Sequence, residues 1–175
     1  MKKYFIFVIA IVALVVMASG CTSQNGNNTT ATKAYSANGI SFNYPDNWTI
    51  TNDTSNNNTT LIALGDVDFN QTNGTKGNGV SILKVPQTNN SSAELASIKS
   101  QFASFNGTNT TTTIAGVTAN ETTFNATANN VTAQLRFIDF QKNNFVYFIQ
   151  YITVSSDFQK QQQLFDTITK SLQVT

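Results

Sequence analysis

The sequence predicts an α+β fold, an antiparallel β-sheet of about six strands flanked by helices. Two observations carry this expectation. Apolar residues alternate with period two through most of residues 35–154, and only two stretches change to helical spacing. Asn, Gly and Pro interrupt the alternating stretches at short intervals, which favours hairpins over long crossovers.

The elements follow in order. Ile40, Phe42 and Tyr44 alternate with polar neighbours and read as a half-buried strand, which the turn Pro45-Asp46-Asn47 stops. Trp48 and Ile50 begin a second alternating piece, and Trp48 is expected to pack on the sheet. Thr51 to Thr60 reads as an Asn/Thr loop. Leu61 to Val67 and Val80 to Val85 are two further strands, joined by the Gly- and Asn-rich residues 70–79. Leu95, Ile98, Phe102 and Phe105 then sit three or four apart, one face of a helix. Ser91 and Glu94 have capping-box spacing at its start, and Asn106-Gly107 ends it. Ile114 to Phe124 reads as a hairpin turning at Ala115-Gly116.

Val131 to Phe140 and Phe145 to Val154 are the strongest pair, joined by Gln141 to Asn144. Their apolar residues fall on both faces, so they belong in the middle of a sheet covered twice. Ser156 and Gln159 offer a second capping box, and Phe158, Phe165, Ile168 and Leu172 stripe a closing helix. Thirteen Phe, five Tyr and one Trp make a substantial core credible, since each buried aromatic removes about 150–250 Å² from water.

The start of the chain speaks to location. Lys2 and Lys3 precede an apolar run from Tyr4 to Met17, and Ala18-Ser19-Gly20 leads into Cys21, the single cysteine. Basic start, apolar middle and small residues are the parts of an export signal. A cysteine directly after them looks like a lipobox, where the thiol takes a lipid and becomes the mature N-terminus. Two alternatives stay open. An uncleaved anchor needs about twenty apolar residues, more than this run has; free secretion leaves the cysteine as an unexplained reactive thiol. The expected organisation is a signal peptide over 1–20, a lipidated Cys21 with a polar tether over 21–34, and one domain over 35–175. Each buried lipid methylene adds about 0.8 kcal/mol to anchoring. The protein is therefore expected on the extracellular face of the cell membrane, held there by its lipid.

Charge excludes some partners. The chain has ten Lys and Arg against nine Asp and Glu. Lys2 and Lys3 leave with the signal, so the mature chain carries eight against nine, a net of −1. No basic field exists to hold nucleic acid. Charged residues are only 11% of the chain, well under the usual quarter, and Asn and Thr supply the polar surface instead. Fifteen Asn-X-Ser/Thr triplets occur, where 23 Asn and 40 Ser or Thr among 175 residues give about five by chance. Asn52, Asn57, Asn70, Asn73, Asn106 and Asn109 are the leading glycosylation candidates, expected in exposed segments. Crowding of both residue types into loops is the alternative source of the excess.

Little points to chemistry. The chain has no histidine, the commonest general base and metal ligand. No Gly-rich phosphate loop precedes a helix, so no cofactor is expected. Asp66-Val67-Asp68-Phe69-Asn70 starts like a calcium loop, but Gln71 and Gly77 stand where that loop needs Gly and Glu. Asp66, Asp68 and Asn70 are thus weak metal candidates, with a solvated junction as the plainer reading. Asp139 is expected to pair with Arg136, the single arginine, as a structural ion pair. Folding could bring Asp66 or Asp68 near Glu121 at a glycosidase-like separation. Trp48 with Tyr35, Tyr44, Tyr147 and Tyr151 could form a sugar-stacking patch, or simply the core and its rim.

Gly39-Ile40-Ser41-Phe42-Asn43-Tyr44-Pro45-Asp46-Asn47-Trp48 resembles the opening of PsbP-like domains, a strand ending in Tyr-Pro and then Trp. Phe165-Asp166-Thr167-Ile168-Thr169-Lys170-Ser171-Leu172 resembles that family's last helix, and the element order between them agrees. The resemblance covers about residues 35–175 and implies an antiparallel sheet between helical layers, an αβα sandwich. PsbP-related lipoproteins of methanogenic archaea have a similar low-charge, Asn/Thr-rich surface. The family's known members are binding modules, so the resemblance implies a non-catalytic envelope module with an envelope protein or glycan as partner. A fold carries function poorly. A glycosylated structural component without a ligand, and a carboxylate-based hydrolase, are the alternatives.

Overall fold

The structure is a computed structural model that describes residues 31–72, 76–88, 91–100, 107–128, 131–154 and 158–175. Among these, ten strands and three helices follow in chain order: β1 (Thr32–Ala37), β2 (Ile40–Pro45), β3 (Thr49–Asn56), β4 (Thr59–Gly65), α1 (Val67–Gln71), β5 (Gly77–Pro86), α2 (Ser91–Ser100), β6 (Thr108–Ile114), β7 (Val117–Ala128), β8 (Val131–Lys142), β9 (Phe145–Val154), α3 (Phe158–Ser171) and β10 (Gln173–Val174). A seven-stranded sheet runs β3-β4-β5-β9-β8-β7-β6, and a three-stranded sheet runs β1-β2-β10. Every pairing is antiparallel. The α+β class and the antiparallel sheet are as expected, with more strands than six.

The additional strands lie where composition suggested loop. Thr51 to Thr60 is mostly the β3–β4 hairpin, turning at Asn57 and Asn58, whose φ angles are 50° and 63°. Asn is one of the few residues that enters the left-handed region readily, and a two-residue turn with positive φ at both centres matches the twist of the flanking strands. The same device recurs at Asn38-Gly39, Ala115-Gly116 and Asn143-Asn144. Thr, β-branched, supplies the strand propensity around these turns. β1 begins at Thr32, within the expected tether of residues 21–34. The segment from Asn70 to Gly79 holds the end of α1 and the start of β5.

The large sheet is covered on both faces, as the two-sided apolar pattern of β8 and β9 predicts. On one face Ile62, Val80, Ile82, Ile138, Ile149 and Tyr151 pack against Tyr35, Ile40 and Phe42 of the small sheet and Phe165, Ile168 and Leu172 at α3. On the other, Phe124, Leu135, Phe137 and Phe148 meet Leu95 and Ile98 of α2. β9, the central strand, is nearly continuous in buried residues. Trp48 is 1% exposed, and its backbone N–H donates to the Pro45 carbonyl at 3.0 Å, which turns the residue directly onto the sheet.

The first capping box differs from expectation. α2 starts at Ser91 itself, so Ser91 lies inside the first turn, and its hydroxyl donates to the Thr88 carbonyl at 2.8 Å. It also accepts the Thr88 N–H at 3.1 Å. Phe102, Phe105, Asn106 and Ser156 lie outside the described residues.

Candidate interaction surface

Polar groups inside the core form one connected cluster between the sheet and α3. The Asp66 carboxylate caps the short helix α1, accepting from Phe69 N at 2.7 Å. It also accepts from Asn78 N at 2.9 Å and Asn78 Nδ2 at 2.7 Å. Burial pushes the Asp66 carboxyl above its usual range, and these hydrogen bonds offset part of that rise. Asn78 Nδ2 donates onward to Gln161 Oε1 at 2.7 Å, and Asn78 Oδ1 accepts the Tyr151 hydroxyl at 2.8 Å. That hydroxyl also stands 3.1 Å from the Gln161 carbonyl. Burial raises the Tyr151 pKa well above that of a free phenol.

Aromatic stacking continues the cluster. Tyr151 stacks on Phe165 at 4.5 Å, and the Arg136 guanidinium lies 4.7 Å from the centre of the same Phe165 ring. Arg136 Nε is 2.5 Å from Glu121 Oε1. Asp166 on α3 stands 3.8 Å from Arg136 Nη1 and 2.9 Å from Lys170. The cluster therefore ties α3 to β5, β7, β8 and β9. Its carboxylates are held by structural partners, and nothing in it sets a nucleophile beside a base.

The expected site residues fall as follows. Arg136 does not pair with Asp139: three residues apart on a strand, they point to opposite faces. Asp139 instead accepts from Asn120 Nδ2 at 3.2 Å. Asp66, Asp68 and Asn70 do not converge as ligands. Asp66 faces Asn78, Asp68 pairs with Lys76 at 2.9 Å, and Asn70 Nδ2 donates to the Gly65 carbonyl at 3.3 Å. Asp66, at the β5 side through Asn78, is three inter-strand steps from Glu121 on β7. At about 4.8 Å per step this is about 14 Å, beyond the roughly 5–9.5 Å of paired glycosidase carboxylates. Trp48, Tyr35, Tyr44, Tyr147 and Tyr151 are all buried, which is core and not a stacking patch. Cys21 lies outside the described residues.

Sequons are distributed unevenly over the fold. Asn47, Asn57, Asn58, Asn109, Asn120 and Asn125 are exposed, and Asn52 and Asn70 are half-buried. Asn73 and Asn106 lie outside the described residues. No sequon begins within residues 31–46 or 131–175. Those two segments include all of β1, β2, α3 and β10, the complete layer that covers one face of the large sheet. Its outward side chains include Lys33, Asn43, Gln162, Gln163, Lys170 and Gln173. This sequon-free face could have been noticed from the spacing of triplets alone, but only the topology shows that two distant segments share one layer.

The family described as PsbP-like protein matches residues 5–174. No curated protein matches the chain. Three solved structures are similar in fold. Cyanobacterial PsbP (CyanoP) of Synechocystis has 13% identity and a TM-score of 0.53, over 88% of this chain and 98% of that one. A crystal structure from Bacteroides thetaiotaomicron has 11% identity and a TM-score of 0.55, over 82% of this chain and 48% of that one. LpqN of Mycobacterium tuberculosis, described as involved in cell envelope biogenesis, has 12% identity and a TM-score of 0.46, over 78% and 83%.

Proposed function

Because the chain belongs to the PsbP-like family, we propose that it is a non-catalytic interaction module of the cell envelope, held at the extracellular face of the cell membrane by a lipid on Cys21. One observation carries the interaction reading: a whole layer of the fold, β1, β2, β10 and α3, lacks sequons, while exposed sequons occur at the turns flanking β3 and on β6 and β7. A glycan added elsewhere leaves this layer open to a partner, an envelope protein or glycan. A spacer without a ligand gives no reason for one bare face. The anchoring reading rests on Lys2, Lys3, the apolar run and the position of Cys21. In its low charge and Asn/Thr surface the chain is similar to the PsbP-related lipoproteins of methanogenic archaea.

β1 begins eleven residues after Cys21. That short separation along the chain supports a sequon-free layer held near the membrane. Photocrosslinkers placed at Gln163 on α3 and at Thr54 on β3, in native membranes, test the reading. A discrete adduct from position 163 and none from position 54 is expected; equal labelling, or none at 163, refutes it. Cys21→Ser should abolish the lipid mass of the mature N-terminus. Membrane-extracted protein that begins at Met1 without lipid refutes the anchor.

A further inference from the structure

Among the described residues the seven-stranded sheet is open at both ends, at β3 and at β6. An open edge offers unpaired N–H and C=O groups to any other strand, and proteins usually blunt it with charge, proline or a bulge. β3 has such deterrents: its register shifts between Ile50 and Asn52, and Asp53 sits mid-strand. β6 has none of them. Its sequence, TNTTTTI, holds no charge and no proline, and it pairs with β7 without a register shift from Thr108 to Ile114. Thr108 to Thr111 and Thr113 are exposed. Thr is a strong strand former, and a neutral edge does not repel its own copy. An open groove of about 550 Å³, lined by Asn109, Thr110, Thr111, Asn120, Glu121 and Thr122, runs along this margin.

β6 does carry one sequon, Asn109-Thr110-Thr111. Asn109 Oδ1 accepts the Thr122 hydroxyl at 2.8 Å, which fixes the amide, while its Nδ2 donates to nothing among the described residues. That nitrogen is the atom that takes a sugar. At Asn120 and Asn70 the same atom is already engaged, by Asp139 and by the Gly65 carbonyl. We propose that Asn109 is N-glycosylated, and that its glycan keeps the β6 edge from pairing with β6 of a second copy. In the transfer, Nδ2 bonds to C1 of a lipid-linked oligosaccharide phosphate. The C1–O bond breaks, the lipid phosphate leaves with its electron pair, and Nδ2 loses one proton.

This rests on the extracytoplasmic reading, and the test separates the two. Full-length protein is purified in detergent from its source membranes as wild type, Asn109→Gln and Thr111→Val. The last keeps Asn109 but removes the hydroxyl that the sequon requires. Wild type should carry a glycan at Asn109 by peptide mass and be monomeric by light scattering. Both variants should lose that mass and double in protein mass, and adding Thr113→Lys to either should return it to monomer, which misfolding would not allow. An unmodified Asn109, glycan-free variants that stay monomeric, or no rescue by Thr113→Lys each overturn the proposal. An unmodified Asn109 in protein that still carries lipid on Cys21 leaves the location reading standing.

Discussion

Tyr151→Phe isolates the hydrogen bonds that join the core cluster to the last helix. The hydroxyl is fully buried and donates to Asn78 Oδ1 at 2.8 Å. The substitution keeps the ring, so the stack on Phe165 at 4.5 Å survives. What remains is an Asn78 carbonyl oxygen, in a residue 2% exposed, with its donor gone. Stranding a buried acceptor costs about 1–3 kcal/mol, so about 2 kcal/mol is expected. For a domain of this size one kcal/mol moves Tm by roughly 3 °C, so the melt should fall by about 6 °C. Thermal unfolding followed by far-ultraviolet circular dichroism, with all variants in the same detergent, reads this directly. Repeating Tyr151→Phe in an Asn78→Ala background should cost less, because the Asn78 acceptor is already absent and only the longer contact to the Gln161 carbonyl remains to be lost. A shift within about 1 °C in the wild-type background, or equal costs in both, refutes the cluster as a hydrogen-bonded unit.

Trp48→Ala should destabilise by about 3–5 kcal/mol in the same melt, and an unchanged Tm would mean that the indole is not core. Asn144→Ala forces alanine into a φ of 64° and should cost about 1–2 kcal/mol, while Asn144→Gly should be tolerated. Gly77→Ala should be worse, since φ is 91° and the new Cβ would overlap the Asp66 carboxylate and the Phe69 amide; a soluble variant with wild-type Tm argues against that packing. Burial and the hydrogen bond to Asp53 raise the Tyr35 hydroxyl to about 12. Because the folded pKa lies above the free value, that contribution is present below about pH 10 and lost as pH rises through 12. The stability difference between wild type and Tyr35→Phe should therefore shrink over that range, and a flat difference would contradict the shift.

Strand order was less legible than strand content. Alternation at Ile40–Tyr44, Val80–Val85 and Phe145–Val154 identifies strands because one or both faces of each are buried. β3 and β6 leave only a short trace, Trp48 with Ile50 and the Ile114 end of a hairpin, being edge strands with mostly exposed side chains. Their signal was weaker and different in kind: runs of Thr ended by Asn-Asn or Ala-Gly pairs that accept positive φ. The core cluster was invisible for another reason. Asp66, Asn78, Arg136, Tyr151 and Gln161 come from five separate elements and loops, and although Asp66, Arg136 and Tyr151 each stand out singly, nothing in the sequence joins them to one another or to Asn78 and Gln161. The Arg136–Asp139 expectation failed on strand periodicity, which sends neighbours three apart to opposite faces.

Consecutive strands neighbour each other in two runs, β3-β4-β5 and β9-β8-β7-β6, and a single ladder joins β5 to β9. Hairpins within each run close locally, in about 1–10 μs. The joining ladder pairs residues at least 59 positions apart, as at Pro86 and Phe145, so its closure entropy falls on the slow step of folding. A chain emerging amino end first completes its first run early, and β5 then holds one edge open until β9 arrives. That interval sets the period in which the nascent protein needs shielding from its neighbours.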